Sequence, residues 1–369
     1  MTLPSPGLLV TVEQVVWEVG QTLFGGRPPD LTAEIRTLSR IYNTGEDPRA
    51  ASLAARLLFF TVADLYKTVF PLQELVTRGR IRPDPDRPLR VLDVGAGCGA
   101  QLLGLLLVLR SNDWSQAVRI DALDRDREAL GALRAVVTGS CQALGLKSVD
   151  LRTITADAGH IPDDEYDLVL MGSVLNELKT DRTASILRLL AHLAPQGHLV
   201  LLEPALREAT RELHRIRDDV LQQGAAHVFA PCTRTGPCPA LLDPDDWCHE
   251  RRPWNPPPRL RTLARATGLR QTDLKWSYLT LTPEPGGVGR PDQWRVVGDP
   301  LSSKGKLEIF VCGEAGRLRA MRLNRHRNQA NRAFSRLRRG RLAGIEGGTP
   351  DRELLRLGSE SRVTEEDPT

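Results

Sequence analysis

From Leu89 onward the chain alternates two hydrophobic patterns. Short, nearly continuous apolar runs ("LRVLDVG", "AVRIDALD", "YDLVLMG", "HLVLLEP") have the pattern of buried strands. Between them, "AQLLGLLLVLRS", "REALGALRAVVTGSCQALG" and "DRTASILRLLAHLAPQG" repeat apolar residues every three or four positions, as helices do. With "VDLRTITAD" as a further strand, the βαβ alternation predicts an α/β fold with a parallel, doubly wound sheet over residues 89–204. Residues 1–88 carry helical spacing and end in the breaker "RIRPDPDRP". After Pro204 come an amphipathic helix ("ALREATRELHRIRDDVLQQG"), a proline-rich irregular stretch, a helix ("RLRTLARATG"), and strands at "TDLKWSYLTLTP", "QWRVVGDP" and "KLEIFVCG". Residues 205–316 are therefore expected to complete the sheet as a cysteine-bearing strand extension, residues 317–342 to form a basic helix, and residues 343–369 to be a disordered acidic tail.

With 41% hydrophobic and 26% charged residues, the 369-residue chain has the balance of a soluble globular protein. Its longest apolar run, "LLGLLLVL", is too short to span a membrane, so no membrane partner is expected. The N-terminus lacks a basic region before its apolar residues and has no arginine before Arg27, unlike secretory or transit peptides. These features lead us to expect a bacterial cytoplasmic protein. In that reducing compartment the six cysteines are not expected to form a disulfide framework, and a cluster of them is better explained by metal or chemistry.

"VLDVGAGCGAQ" follows a strand and opens a helix, the setting of a nucleotide-type loop. Gly95, Gly97 and Gly99 permit a tight turn and close backbone approach. Gly95, Gly97 and Ala100 also satisfy a relaxed dinucleotide fingerprint. Asp93 separates the readings, because a carboxylate beside a pyrophosphate is repelled, whereas one beside an ammonium is not. S-adenosylmethionine (SAM) brings such an ammonium and no phosphate. Asp124 ends the second strand, where it can accept ribose hydroxyls, and Asp157 follows the third, where it can reach an adenine amine. All three lie at carboxyl ends of strands, the ligand side of this architecture. The set resembles the class I SAM-dependent methyltransferases. The competing reading is a Rossmann-like pocket that no longer binds anything. No Asn-Pro-Pro-aromatic loop follows the fourth strand, where "MGSVLNEL" stands, and "NPPP" at Asn255–Pro258 lies outside the sheet. No catalytic residue is therefore assigned. Asn176 and Glu177 are expected in the start of the next helix.

Three cysteines crowd into "CTRTGPCPALLDPDDWCHE". Cys232 and Cys238 are separated by five residues and Cys238 and Cys248 by nine, while Cys312 ends a later strand. Three ligands on a loop and one from a distant strand make a plausible four-thiolate site for zinc or an iron–sulfur cluster. His249 could replace one thiol. The alternative is four scattered buried thiols.

The segment "RLRAMRLNRHRNQANRAFSRLRRGRL" holds ten arginines and no acid. Arg317, Arg319, Arg322, Arg325, Arg327, Arg332, Arg336, Arg338 and Arg339 are the candidate contacts to a phosphate backbone. Phe334 is the lone aromatic there, so recognition of shape and phosphate is expected rather than base reading.

Taken together, "LDVGAGCGA", "DLVLMGSVLNEL", "LVLLEP", "HVFAPCTRTGPCP", "DWCHERR" and "VVGDPLSSKGKLEIFVC", followed by the basic segment, resemble the methyltransferase-like proteins of the mitochondrial ribosomal small subunit and their bacterial relatives, labelled rRNA methylases. The resemblance runs from about Arg49 to Leu342. It implies a 4Fe–4S cluster on Cys232, Cys238, Cys248 and Cys312. It also implies binding to small-subunit rRNA or a pre-ribosomal small subunit, in maturation or stabilisation of that particle, and a monomer when off the ribosome. One departure is Glu250, which follows "WCH" where an aromatic residue is common in the family.

Overall fold

The structure is a computed structural model that describes residues 3–25, 30–44, 52–178, 181–285, 290 and 292–366. The chain divides into two compact units: residues 1–203 with 253–274, and residues 204–252 with 275–369.

The first unit is built on a parallel sheet of β1 (Leu89–Val94), β2 (Val118–Asp124), β3 (Val149–Thr155), β4 (Tyr166–Gly172) and β5 (Leu193–Pro204). The strand order β3-β2-β1-β4-β5 reverses direction at β1, so the doubly wound fold has its switch point there. Four helices precede the sheet. They are α1 (Pro6–Leu23), α2 (Leu31–Thr44), and α3 (Leu53–Ala55), which passes through a π-helical turn (Arg56–Thr61) into α4 (Val62–Thr77). The sheet's own helices are α5 (Ala100–Ser111), α6 (Arg127–Leu144) and α7 (Arg182–Ala191). Every residue of α5 from Leu102 to Leu109 is buried, because α4 covers the side that the sheet does not. Gly104 makes that packing possible, since a Cβ there would stand 2.5 Å from the Leu65 carbonyl oxygen of α4.

The late helix "RLRTLARATG" belongs to this first unit and not to the extension. As α9 (Pro258–Thr267), it begins with orphan N–H groups that Glu13 of α1 satisfies: Leu260 N–H donates to its carboxylate at 2.7 Å and Arg259 N–H at 3.2 Å.

The second unit contains α8 (Arg207–Gln222), β6 (His227–Ala230), β7 (Glu250–Pro253) and β8 (Asp273–Thr282), with β6 antiparallel to β8. It continues with β9 (Gln293–Val296), β10 (Leu301–Ser303), β11 (Lys306–Gly313), β12 (Gly316–Leu323), β13 (Leu342–Asp351) and β14 (Leu354–Glu366). β11 pairs with β9 and β12, β12 with β14, β14 with β13, and β13 with β9, so these five strands close into a barrel. Only the β12–β14 pair is parallel. Trp294, Val296, Ile309, Val311, Leu318, Ala320, Ile345, Leu355, Leu357 and Val363 fill its interior.

Two expectations are corrected here. The basic segment is not a helix: it begins as strand β12 and continues through two 3-10 turns, Asn324–His326 and Arg332–Ser335. Leu318, Ala320 and Arg322 point inward and Arg319 outward, so its underlying period is two, hidden by the density of arginine. The acidic tail is likewise not disordered through Glu366, since β13 and β14 complete the barrel. Inward Leu355, Leu357 and Val363 alternate with charged residues, a strand pattern that the overall acidity masked.

Candidate functional site

The glycine loop sits at the switch point, between the end of β1 and the start of α5. Gly95 has φ +69°, and a Cβ there would come within 2.2 Å of Val174, so only glycine fits. Asp124 braces the loop: one carboxylate oxygen accepts Gly97 N–H at 2.8 Å and the other accepts Asp126 N–H at 2.8 Å. Each oxygen keeps a second lone pair for a ligand hydroxyl. Asp93 is fully buried, and neither of its oxygens has a hydrogen-bond partner. Burial, then the Asp124 charge, push its carboxyl well above the ordinary carboxylate range. Asp157 lies two residues past the end of β3 with an exposed side chain, so it is the least organised of the three acids.

The structure adds residues that periodicity could not flag. Arg56, at the start of the π-helical turn, pairs with Asp126 at 2.8 Å and brings a cation to the end of β2. Arg125 pairs with Glu177 at 2.6 Å, linking the segment after β2 to the segment after β4. Asn176 and Glu177 stand in a separate 3-10 turn, Leu175–Glu177, and not in the next helix, which starts at Arg182. Glu203 of β5 pins that turn by accepting Leu175 N–H at 3.1 Å, while Arg182 Nε donates to the Leu175 carbonyl at 2.8 Å. Burial pushes the Glu203 carboxyl up to about 7. In sequence, the one signal for Glu203 was its place at the end of a buried strand.

In the second unit, Cys232, Cys238, Cys248 and Cys312 all line one cavity of ≈ 50 Å³. Its loop has little regular structure and is held by side chains instead. Arg217 of α8, 1% exposed, donates to the Gly236 carbonyl at 2.8 Å and the Arg234 carbonyl at 2.6 Å. Asp218 accepts Cys238 N–H with both oxygens, at 2.9 and 3.1 Å. Arg211 donates to the carbonyls of Ala240 (3.0 Å), Asp243 (2.6 Å) and Asp246 (2.7 Å). Thr233 Oγ1 donates to the Cys312 carbonyl at 2.8 Å, tying the loop to the end of β11. Burial, then the neighbouring cysteine charges, push Cys238 up to about 11, Cys312 up to about 12 and Cys248 well above the usual thiol range. Arg217, Arg234, Arg295 and Arg317 line the same cavity.

His249 also lines the cavity, and burial lowers its imidazole to about 4. Glu250, the departure from the family pattern, is buried and pairs with Arg252 at 3.2 Å. Among the described residues, no three His, Cys, Asp or Glu side chains form a group that could hold a single metal ion.

The arginines separate into two sets. Arg322 is corrected as an RNA contact: it is 1% exposed and donates to the Asn331 carbonyl at 2.6 Å and Ser335 Oγ at 2.7 Å. Arg317 is paired with Asp246 of the cysteine loop, and Arg339 donates to the His249 carbonyl at 2.9 Å. Arg319, Arg325, Arg327, Arg332, Arg336 and Arg338 are exposed.

A doubly wound sheet with its glycine loop at the switch point and acids at its strand ends is the Rossmann-like fold of class I SAM-dependent methyltransferases. The chain belongs to the Rsm22 family: the family model described as "Mitochondrial small ribosomal subunit Rsm22" matches residues 60–341. No curated protein matches the sequence. Solved structures to which the chain is similar include magnesium protoporphyrin IX methyltransferase from Synechocystis PCC 6803 with bound SAM. It is 13% identical, with a TM-score of 0.36, over 70% of this chain and 99% of that one. YcgJ from Bacillus subtilis is 13% identical, with a TM-score of 0.33, over 60% of this chain and all of the other. An arsenic(III) SAM methyltransferase from Chlamydomonas reinhardtii is 16% identical, with a TM-score of 0.32, over 59% of this chain and 72% of that one.

Proposed function

We propose that the chain is a SAM-binding, iron–sulfur protein of small-ribosomal-subunit maturation that binds small-subunit rRNA in the bacterial cytoplasm. The observation that carries this reading is the convergence of three clustered cysteines and a fourth from a distant strand on one arginine-lined cavity. Four thiolates suit a 4Fe–4S cluster or a single zinc. The cavity leaves room for the cluster. One water takes about 10–15 Å³ on this measure, so ≈ 50 Å³ is room for more than one ion. The surrounding guanidinium groups would offset the negative charge of a tetrathiolate site. Cys232, Cys238, Cys248 and Cys312 would hold the cluster, which would supply a rigid cross-link between the loop and β11.

For SAM, Asp93 supplies a buried carboxylate without a partner, which an ammonium would satisfy. Asp124 supplies acceptors for ribose hydroxyls beside the glycine loop. The reading assigns no catalytic group, and methyl transfer to RNA is its most demanding form. The Rsm22 membership supports the small ribosomal subunit as partner. The exposed arginines supply attraction for phosphate.

The test is anaerobic purification followed by a count of iron, sulfide and zinc, with SAM binding measured by calorimetry. About four irons and four sulfides per chain are expected, as a cubane requires. A colourless protein with one zinc would overturn the cluster, and absence of SAM binding would overturn the cofactor. Small-subunit pull-down should fail when Cys238→Ser and Cys248→Ser remove the metal. Retained binding would separate the RNA role from the cysteines.

A further inference from the structure

The C-terminal barrel shows where, and in what form, RNA would bind. Counted from β9, its strands pair in the order first, second, third, fifth, fourth and back to first. Only the third and fifth, β12 and β14, run parallel. The first strand is bent: β9 and β10 both pair with β11, and Val297 N–H continues the ladder by donating to the Phe310 carbonyl at 2.8 Å. Between the third and fourth strands lies a short helical plug whose Phe334 and Leu337, both fully buried, close the barrel core. The inward Arg322 ties that plug to β12. This connectivity is that of the OB fold, a five-stranded Greek-key barrel that binds oligonucleotides on the face of its second and third strands, flanked by the first–second and fourth–fifth loops.

Fold alone does not assign a ligand, so the chemistry of that face decides. Along β11, Ile309 and Val311 point into the core, so Lys306, Glu308, Phe310 and Cys312 are on the outer face. Along β12, Leu318 and Ala320 point in, leaving Arg317, Arg319, Met321 and Leu323 outside. The register sets Phe310 opposite Arg319 and Cys312 opposite Arg317. The face thus carries an aromatic ring, with the Arg317 guanidinium 5.5 Å from its centroid on one side, a thioether and, beyond the end occupied by the cysteine cavity, two cations that share one acid. Its one acid, Glu308, is held by Lys306 at 2.8 Å and lies 3.6 Å from Arg319, so it does not present free negative charge. Of the flanking loops, the one between β10 and β11 carries Lys304, while the one between β13 and β14 sets Arg352 beside Glu353 and is neutral.

We infer that the outer face of β11 and β12 is a binding site for an unpaired RNA strand, with Phe310 as the stacking platform and Lys306 and Arg319 facing the backbone. The inference rests on the RNA-binding reading above and adds the surface and the single-stranded form. An aromatic ring on a sheet can stack only on a base that has left its helix, which duplex RNA does not offer. Cys312 lies two residues from Phe310 on the same strand face, so the cysteine site forms one end of the RNA surface.

The experiment uses the full chain with its metal and two fluorescein-labelled probes: a mixed-sequence 12-nucleotide RNA and the blunt duplex of the same length. Anisotropy is measured across a salt series, beside pull-down of purified small subunits. The single strand is expected to bind about tenfold or more tighter than the duplex. Phe310→Ala should weaken it about 5- to 150-fold, the range for loss of one stacked base. Phe310→Leu keeps the apolar bulk, guards against misfolding, and should weaken it comparably. Arg319→Gln should lower the salt slope by about one. Three results would overturn the inference while leaving the broader RNA reading intact: duplex bound as tightly as single strand; both Phe310 variants binding like wild type; or binding lost in Arg332→Ala with Arg336→Ala but kept in Phe310→Ala, which would place the strand in the open groove beside the plug. If neither probe nor small subunits bind, the RNA reading itself fails, and this inference with it.

Discussion

The glycine crevice and the cysteine cavity both bury ionisable groups, Asp93 in one and Cys238 in the other, yet they are built in opposite ways. Around Asp93 the backbone is satisfied by the ladders of β2 and β4, so the crevice exists whether or not a ligand fills it. Around the cysteines the backbone is irregular, and its carbonyls and N–H groups are answered by Arg211, Arg217 and Asp218. A sheet makes a site by periodicity, and its ligand is an addition. A side-chain-laced loop must order many groups, and its cysteines can ionise against one another only when a cation joins them. The crevice should therefore tolerate loss of its ligand, and the cavity should not.

The harshest way to break that contrast is Cys248→Ser together with Cys312→Ser. Thiolate–metal sites contribute on the order of 10 kcal/mol in small domains. Hydrogen exchange should show residues 232–250 losing protection while β1, β2 and β4 keep theirs. Equal loss in both units would show that the crevice depends on the metal after all. A milder test spares the thiols. Arg217→Ala removes a buried guanidinium from two loop carbonyls and should cost about 3–5 kcal/mol, the range for breaking a buried charged network. Its reading is the denaturation midpoint, and a change below about 1 kcal/mol would mean that water replaces the arginine.

The next effect is a pH dependence in the first unit. Glu203 has its folded carboxyl raised to about 7 from 4.5, so between those values the folded state holds more protons than the unfolded state. Stability from this group is therefore full below about 4.5 and falls as pH rises to about 7. Glu203→Gln keeps an acceptor for Leu175 N–H and cannot ionise. It should match wild type near pH 4.5 and exceed it by about 3 kcal/mol above pH 8. A constant difference across that range would assign the effect to packing.

The same contrast explains what could be seen in the sequence. The strand–helix alternation, glycine loop and terminal acids are written in local patterns, so "VLDVGAGCGAQ" and the ends of β1 and β2 could be placed from residues alone. The cysteines were visible as a cluster, and their convergence followed from chemistry. The barrel was missed because its strands are dense in charge. Arg322 looks like another surface arginine until Asn331 and Ser335 are seen around it. The tail was assigned by net acidity, although Leu355, Leu357 and Val363 already marked its inner face. Arg56 and Glu203 reach the crevice through tertiary contacts that no window of sequence contains.

The most direct test of the crevice is Asp93→Asn. In the free protein the Asp93 carboxyl is raised by burial, so wild-type stability from this group falls as pH climbs above the ordinary carboxylate range. An amide of the same shape has no charge to bury, so the variant should be as stable as wild type at pH 5 and no less stable at pH 8. SAM binding should move the other way. A bound ammonium requires the ionised carboxylate, and a charged hydrogen bond of this kind contributes about 1.5–3 kcal/mol, or roughly 10- to 150-fold in affinity. Wild-type affinity should also rise with pH as Asp93 ionises, while that of the variant should not. Calorimetry at pH 6 and 8 reads both, and proton release on binding to wild type alone would tie the cation to Asp93. Equal affinities at both pH values in both proteins would remove Asp93 from the ligand site and leave it as an acid buried by the fold.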